Sequence, residues 1–301
     1  MYYIVYSFFF LLSLLPWRAL YIISDFIYLI LYYIIGYRKE VVMKNLTIAF
    51  PEKTEKEKVQ IAKQFYHNFI DNFIEVIKLI SASKSSIQKR FKADYSILNE
   101  LYEQGLNTQV HLGHFFNWEY ANLSFATYMK APFVIVYMPI SNKAIDKVFY
   151  KMRTRMGSKL VAATNFRNEF MPFAKDRFVL VLVGDQNPGN PENAYWVDFF
   201  GKKTPIVKGP ERGARLNRSA VVMISIHKIK RGYYESKAEL LTTNARELPD
   251  GEITEKMIRF IERSIRQSPS NYLWSHRRWK FEYDEAKHKH LLVGNKKGSV
   301  H

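Results

Sequence analysis

The feature that most constrains the fold is an alternation of short apolar runs with longer segments whose apolar residues recur at helical spacing. Short continuous runs of this kind are typical of strands that are buried on both faces. Strands that alternate with helices indicate an α/β fold, with a mostly parallel central sheet flanked by helices on both faces. The predicted strands are Thr108–Leu112, Pro132–Tyr137, Phe178–Val183 and Ala220–Ile226.

The predicted helices have recognisable start and stop signals. The longest covers residues 54–82 and begins at Thr54, with Glu57 three positions later in the pattern of a capping box. The helix Asn142–Met156 stops at Gly157, a residue type that favours helix ends. The other predicted helices are Asn117–Tyr128, the short Asn165–Ala174, the basic stretch Pro210–Asn217 and residues 252–267.

Residues 1–36 differ in composition from the rest of the chain, because Arg18 and Asp25 are their only charged residues. Two apolar runs, Tyr2–Leu15 and Ala19–Ile35, make up most of this segment. It lacks the basic start of a cleaved signal peptide, and the second run is long enough to cross a bilayer of about 30 Å. We predict an N-terminal hydrophobic membrane-anchor helix; the alternative is a buried pair of core helices.

The positive charge of the chain lies after this segment. The 45 Lys and Arg residues against 28 Asp and Glu give a net charge of +17, spread over a domain of residues 37–286 and a basic tail, residues 287–301, that we expect to be loose. The neighbouring anchor favours anionic membrane lipid as a partner over nucleic acid, for which the sequence has no signature. Arg38, Lys39 and Lys44 follow the anchor and favour a cytoplasmic body.

The candidate catalytic residues lie where a predicted strand gives way to a predicted helix. His114 follows the strand that ends at Leu112, and Glu119 lies five positions later. Such junctions expose side chains at the carboxyl edge of a sheet, where α/β proteins bind ligands. An imidazole held by a carboxylate can take a proton from a hydroxyl at neutral pH. We therefore predict a His114–Glu119 dyad; the alternative is that Glu119 stabilises the helix start and His114 fills a turn.

Other histidines offer competing sites. His67 and Asp71 are four residues apart and share one face of the long helix, and we interpret this pair as structural. His111 is interpreted as a core residue or a support of the site, and His227 as a surface residue. The chain has no cysteine, which excludes disulfides, thiolate catalysis and Cys-ligated metal.

The segment His114–Glu119 resembles the His-x4-Asp/Glu motif of the lysophospholipid acyltransferase superfamily. Its form, H-x-x-N-W-E, resembles that of the lipid A biosynthesis (lauroyl/myristoyl) acyltransferases. Further segments resemble this family in the same order along nearly the whole chain: Arg38–Pro51, Tyr137–Gly157, Gly184–Gln186, Phe199–Pro205 and Trp274–Lys280. The sequence departs from the family pattern at Phe115-Phe116, where a small residue is usual before Asn117, and at Gly184, where proline is usual. Both departures concern the acceptor pocket more than the type of reaction.

The resemblance implies a membrane-associated O-acyltransferase of the inner membrane, with residues 37–286 as an acyltransferase domain on the cytoplasmic face. It implies transfer of a fatty acyl group from an acyl carrier protein thioester, or from acyl-CoA, to a hydroxyl of a lipid A precursor. His114 would be the general base and Glu119 its partner, and neither metal nor cofactor is expected. The predicted substrate-binding residues are Asn117, Arg153, Arg155, Asp185 and Gln186 from the family segments, with Lys208 and Arg212 from the basic stretch.

Several alternatives remain open at the level of sequence. The acceptor could be another membrane lipid, such as a lysophospholipid or an amino-acid lipid, or the chain could be a non-catalytic basic membrane-binding protein. Arg153 and Arg155 could stabilise an oxyanion or contact phosphate. The basic stretch 202–218 could meet lipid phosphates or the acidic carrier protein, or could form a solvated helix face. The segment Trp274–Lys280 suits either a membrane interface or a structural clamp.

Overall fold

A seven-stranded sheet forms the centre of the computed structural model, which describes residues 1–294. The strands are β1 (Phe91–Lys92), β2 (Thr108–Leu112), β3 (Phe133–Tyr137), β4 (Lys159–Ala162), β5 (Val179–Val183), β6 (Ala194–Phe199), β7 (Lys202–Val207), β8 (Ala220–Lys230) and β9 (Tyr233–Thr242). Their order in the sheet is β1-β9-β8-β2-β5-β3-β4, and only the β8–β9 pair is antiparallel. β6 and β7 form a separate antiparallel pair. The predicted α/β class, with a mostly parallel sheet flanked by helices, is confirmed.

The helices are α1 (Tyr2–Leu14), α2 (Trp17–Leu29), α3 (Lys39–Ala49), α4 (Glu55–Lys78), α5 (Lys84–Arg90), α6 (Ser96–Glu103), α7 (Trp118–Tyr128), α8 (Lys143–Thr154), α9 (Phe166–Phe170), α10 (Gly209–Leu216), α11 (Glu252–Gln267) and α12 (Glu285–His288). A π-helical turn, Ile30–Ile35, prolongs α2. The predicted capping box at Thr54 is present, with the Thr54 hydroxyl accepting a hydrogen bond from the backbone N–H of Glu57. These starts and stops follow the local sequence signals closely.

β2 lies in the middle of the sheet and sets the position of the candidate site. All five of its residues are buried, as expected for a strand between the parallel neighbours β5 and β8. Leu112, the last residue of β2, is in register with Val183, the last residue of β5. His114 and Asp185 each follow two residues later. The register therefore brings these two side chains together at the carboxyl edge of the sheet.

The N-terminal helices pack against the α/β body. The helix Trp17–Ile35 has 19 residues and a mean hydropathy of 1.6, which makes it long and apolar enough to cross a membrane. Leu20 of α2 is fully buried and packs with Ile70 of α4. Asp25 accepts hydrogen bonds from the Arg231 guanidinium at 2.6 and 3.1 Å. α2 thus faces the body with Leu20 and Asp25 and leaves other large apolar side chains, such as Ile22 and Phe26, exposed.

The competing histidines occupy structural positions. The His67 ring lies 2.9 Å from Asp25 and 3.3 Å from Asp71, within an ion-pair network, as the structural interpretation of this pair predicts. His111 is buried in β2, where its Nε2 hydrogen-bonds with Gln109 at 3.0 Å. Burial lowers the pKa of His111 to about 4, so its ring is neutral at pH 7.

The predicted surface position of His227 is wrong. Its ring is buried and hydrogen-bonds with the hydroxyls of Ser225, at 2.8 Å, and Ser268, at 3.2 Å. The reason is that β8 continues to Lys230, beyond its predicted end at Ile226, and that the segment after α11 reaches the His227 ring through Ser268. The basic residues that follow His227 therefore belong to a long antiparallel pair and not to an exposed strand end.

The first part of the predicted basic tail, residues 287–294, packs against the body of the protein. Residues 287–294 include the end of α12, where His288 is buried and stacks on Trp196 with ring centroids 4.4 Å apart. The backbone N–H of Val293 donates to the Trp196 carbonyl oxygen at 2.9 Å. Stacking on a buried indole holds this part against β6. Residues 295–301, the rest of that prediction, lie outside the described residues.

Candidate active site

An apolar cavity of about 450 Å³ opens at the carboxyl edge of the sheet, beside α7. Its polar wall includes His114, Glu119 and Arg153. The apolar wall residues are Leu112, Val110, Trp118, Ala121, Phe125, Phe133, Ile135, Val136, Met138, Val181, Leu182, Val183, Val207, Pro210 and Ile224. An apolar cavity with a few convergent polar groups suits an extended hydrocarbon ligand whose reactive end lies beside His114.

His114 uses one ring nitrogen to bind a buried carboxylate. Its Nδ1 forms a hydrogen bond with Oδ1 of Asp185, and its backbone N–H donates to Oδ2 of the same carboxylate at 3.2 Å. The His114 side chain is 18% exposed, and within residues 1–294 its Nε2 makes no hydrogen bond. The Trp118 ring lies edge-on to the imidazole at 5.9 Å between centroids. A carboxylate on Nδ1 fixes the proton there, which leaves Nε2 as the basic nitrogen.

Asp185 is fully buried and is held by two further groups. It accepts a hydrogen bond from the Tyr272 hydroxyl at 2.7 Å and lies 3.3 Å from the Arg278 guanidinium. Burial alone would raise the pKa of Asp185, but the charges of His114 and Arg278, with the hydrogen bonds from His114 and Tyr272, hold it well below its ordinary value. Asp185 is therefore an ionised carboxylate that can stabilise a protonated His114.

Glu119 does not hydrogen-bond with His114, which corrects the predicted dyad. Its Oε1 accepts hydrogen bonds from Arg153, at 2.8 Å from Nε and 2.6 Å from Nη2, and from the Trp118 indole at 3.2 Å. The physical reason is position: Glu119 lies in the first turn of α7, which packs on α8, whereas His114 lies at a strand end in register with Asp185. The Glu119 carboxylate therefore holds the Arg153 guanidinium in the cavity wall.

Asn117 and Arg155, both predicted to bind substrate, do not line the cavity. Asn117 is fully buried, and its side-chain amide donates a hydrogen bond to Glu75 of α4. Arg155 donates hydrogen bonds to the backbone carbonyl oxygens of Leu79 and of Ala82, the second at 2.7 Å. Both side chains are hydrogen-bonded to other parts of the protein: Asn117 to a buried carboxylate and Arg155 to backbone carbonyl oxygens. They tie the start of α7 and the end of α8 to the region of α4.

The remaining predicted residues lie in two places. Gln186 lines the cavity. Lys208 and Arg212 line a neighbouring cleft of about 420 Å³ instead. The basic residues of this cleft, here called the basic cleft, are Lys208, Arg212, Arg215 and Arg246. Lys208 directly follows Val207 and precedes Pro210 by two positions, and both of these residues line the apolar cavity. The basic cleft and the cavity therefore share one stretch of chain.

The segment Trp274–Lys280 packs against the core. Trp274 and Arg278 are only 1% and 2% exposed. The Asn45 amide donates to the backbone carbonyl oxygens of Trp274 and His276, both at 2.7 Å. Of the two interpretations of this segment, the structural clamp is correct, because Arg278 is directed at Asp185 and not outward.

Sequence reasoning missed that Asp185 is the partner of His114 and that Tyr272 and Arg278 hold it. The signal for the first was present: both residues stand the same distance after a predicted parallel strand, although the sequence does not reveal that β2 and β5 are neighbours. Nothing in the sequence pairs Tyr272 with Asp185, because the two residues belong to distant segments joined only by the fold.

The same arrangement of segments is found in a family of known proteins. A family model described as bacterial lipid A biosynthesis acyltransferase matches residues 1–281. The chain belongs to this family. It is therefore an acyltransferase, as the motif around His114 implied. The match includes the N-terminal helices as well as the sheet, so the likeness is not confined to the turn around His114.

Curated members of the lipid A acyltransferase family are distant relatives of this chain. A lipid A biosynthesis acyltransferase of Haemophilus influenzae is 22% identical over 232 residues, which covers 76% of this chain and 72% of the relative. A lipid A biosynthesis palmitoleoyltransferase of Escherichia coli is 21% identical over 246 residues, which covers 81% and 79%. The likeness is low in identity and broad in coverage, which is typical of a shared fold and reaction type.

Proposed function

We propose that this acyltransferase moves a fatty acyl group from an acyl carrier protein thioester to a hydroxyl of a lipid A precursor, at the cytoplasmic face of the inner membrane. One observation carries the proposal: a basic nitrogen of His114, backed by the ionised Asp185, stands at the wall of an apolar cavity beside a guanidinium. The family match and the names of the relatives support lipid A as the acceptor.

The transfer needs one proton carrier and one site of positive charge. His114 Nε2 takes the proton from the acceptor hydroxyl while that oxygen attacks the thioester carbonyl carbon. The new C–O bond leaves negative charge on the carbonyl oxygen, which Arg153, held by Glu119, is placed to stabilise. The tetrahedral intermediate then collapses, the C–S bond breaks, and the leaving thiolate takes the proton back from His114. Asp185 stabilises the imidazolium between these steps.

The cavity suits the acyl chain of the donor. Its wall is mostly apolar, and His114 and Arg153 are among its few polar residues. Each methylene buried there contributes about 0.8 kcal/mol, and a chain held along the cavity keeps its carbonyl carbon beside His114. Positioning of this kind supplies much of the rate in two-substrate reactions. In this proposal the acceptor lipid approaches from the open edge.

The basic cleft supports an acidic carrier protein as donor, and charge reversal tests that role. We expect Lys208→Glu with Arg212→Glu to raise the KM for acyl-carrier protein at least about tenfold, since like charges replace attraction at a contact surface. Transfer from a neutral acyl-pantetheine thioester should stay within about twofold of the wild type. The control is Lys84→Glu with Lys89→Glu, two exposed lysines of α5 that line neither cavity. An equal rise in KM for both double variants would contradict the assignment.

The outer side of α1 and α2 supports membrane association. Its large apolar side chains are exposed although the opposite side of α2 is packed on α4. These exposed residues include Tyr3, Ile4, Phe8, Leu11, Leu14, Ile22, Phe26, Leu29, Tyr33, Ile34 and Ile35. A contiguous apolar surface of this extent next to basic residues suits insertion into a bilayer whose surface is anionic.

Point substitutions test this surface better than truncation, because deletion of residues 1–36 would also uncover α4. We expect Ile22→Glu with Phe26→Glu to weaken binding to anionic vesicles at least about tenfold, since each side chain loses the free energy of apolar burial. Ile22 and Phe26 are 70% and 64% exposed, so the melting temperature should change little. Met171→Glu, directly after α9 and 57% exposed, is the matched control. Vesicle binding that is unchanged in the double variant would rule this surface out.

Mass spectrometry of lipid A tests the proposed acceptor. Cells that lack the protein should accumulate a lipid A precursor short of one acyl chain, and expression of the wild-type chain should restore it. An unchanged lipid A with another lipid lacking a chain would move the reaction to that lipid. No change in any lipid would contradict acyl transfer to a membrane lipid.

A further inference from the structure

A second carboxylate, Glu75 of α4, is buried beside the turn of residues 113–117 that joins β2 to α7, here called the catalytic turn. The proposed transfer does not use Glu75. Glu75 has no exposed surface. Its Oε2 accepts hydrogen bonds from the Asn117 amide and, at 2.8 Å, from the Tyr234 hydroxyl. Its Oε1 accepts one from the Tyr21 hydroxyl at 3.0 Å. One carboxylate thus joins the catalytic turn, β9 and α2.

Asn117 stands at the start of the helix that carries two residues of the site. Its backbone carbonyl oxygen accepts the N–H groups of the first turn of α7, at 3.1 and 3.3 Å. The next two residues are Trp118, whose ring packs on His114, and Glu119, which holds Arg153. The Asn117 Oδ1 atom is buried with no hydrogen-bond partner among the described residues. A shift of Asn117 would therefore move both contacts.

Burial of the Glu75 carboxylate is unfavourable for the free energy of folding. Burial raises the pKa of the Glu75 carboxyl to about 7, and the like charge of Asp71 adds to this, while Lys228 and the hydroxyls of Tyr234 and Tyr21 act in the opposite direction. Replacing Glu75 alone by an apolar group would leave the Asn117 amide and the hydroxyls of Tyr234 and Tyr21 without their acceptor, which destabilises the fold. The value of Glu75 to the protein therefore lies in what its oxygens hold.

We propose that Glu75 is a positioning residue for acyl transfer, which acts through Asn117 to hold the first turn of α7 and with it Trp118 and Glu119. This inference rests on the proposed function for its kinetic consequence. Glu75 touches neither substrate cavity, so its loss should lower kcat and leave the binding of the acyl donor unchanged.

A double-mutant cycle tests the link to Asn117. We expect Glu75→Met, which keeps the length of the side chain and removes both acceptors, to lower kcat at least about tenfold with the donor KM within about twofold. Glu75→Gln keeps one acceptor for Asn117 and should recover part of this loss. In the Asn117→Ala background, Glu75→Met should lower kcat by less than about a further twofold. Losses of kcat that multiply in the double variant, or a change confined to KM, would overturn the proposal. If Glu75→Met does not fold, the smaller loss of kcat expected in Glu75→Gln is measured in the same cycle.

Asp71→Asn is the matched control. Asp71 lies one turn earlier on α4, is equally buried and binds Ser24 of α2 at 2.7 Å, but it has no contact with the catalytic turn. We expect it to lower the melting temperature and to leave kcat within about twofold. A kcat loss equal to that of Glu75→Met would make both carboxylates merely structural.

A readout without activity keeps the inference separate from the proposed function. The Trp118 indole N–H donates to Glu119, and its NMR resonance, assigned with Trp118→Phe, reports the first turn of α7. It should shift alike in Glu75→Met and Asn117→Ala and stay in place in Asp71→Asn. A resonance unmoved by Glu75→Met would overturn the inference, whereas a wild-type protein that shows these shifts but transfers no acyl group to lipid would overturn only the proposed function.

Discussion

Replacing His114 by alanine is expected to lower the acyl-transfer rate by about 10²- to 10⁴-fold, because the variant has no general base for the acceptor hydroxyl. The side chain is partly exposed at the cavity wall, so its removal should leave the fold and the membrane binding intact. Initial rates with purified protein, acyl-carrier protein and a lipid A precursor measure the effect, and circular dichroism confirms the fold.

His67→Ala is the control for this substitution. His67 bridges Asp25 and Asp71 in the ion-pair network and does not line the cavity. Its loss should lower the melting temperature and leave the rate of the folded protein within about twofold. Transfer by His114→Ala near the wild-type rate, or loss of transfer without loss of stability in His67→Ala, would move the catalytic base away from His114.

Asp185→Asn should reduce kcat by a comparable factor, about 10²- to 10⁴-fold, since an amide of the same shape can hold the imidazole but cannot stabilise its protonated form. The pKa of Asp185 is held below its ordinary value of 3.8 in the folded protein, so its ionised form stabilises the fold above that pH. This stabilisation is lost as the pH falls below 3.8 in the wild type, and the variant should lack that part of the acid dependence. Urea unfolding at several pH values measures it.

The contrast with Glu119→Gln separates the two carboxylates. Glu119 holds Arg153 and not His114. Its amide variant should therefore no longer hold the Arg153 guanidinium in place, whereas the contact of His114 with Asp185 should be unchanged. The acid limb of the pH–rate profile should therefore move in Asp185→Asn and stay in Glu119→Gln. The reverse pattern would restore Glu119 as the partner of His114.

The elements of the fold could be predicted where the local pattern decides them. β2 has the predicted bounds, and the capping box places the start of α4 at Thr54, because burial on both faces and capping leave local signals. The β6–β7 pair and β9 were not predicted. Tyr233–Thr242 is mostly half-buried or exposed, so it has no continuous apolar run to reveal it, and its place in the sheet is set by pairing with β8.

The candidate site could be predicted only in part, for a related reason. His114 is identifiable because it follows a buried strand, and Arg153 because of its family segment. The choice between Asp185 and Glu119 as the partner of His114 depends on which strands are neighbours, and sequence spacing alone favours the nearer carboxylate. Asn117 and Arg155 lie in matching motifs, yet their side chains are bound to Glu75 and to backbone carbonyl oxygens.

One time course with purified components tests whether the protein transfers an acyl chain to lipid A with His114 as the general base. Wild-type protein, an acyl-carrier protein with an isotope-labelled chain and a lipid A precursor are mixed, and the products are followed by mass spectrometry. We expect the wild-type protein to form a lipid A product heavier by one labelled ester-linked chain, and His114→Ala to form it at least about 10²-fold more slowly. A label that remains on the carrier protein, or a product formed equally well by His114→Ala, would contradict it.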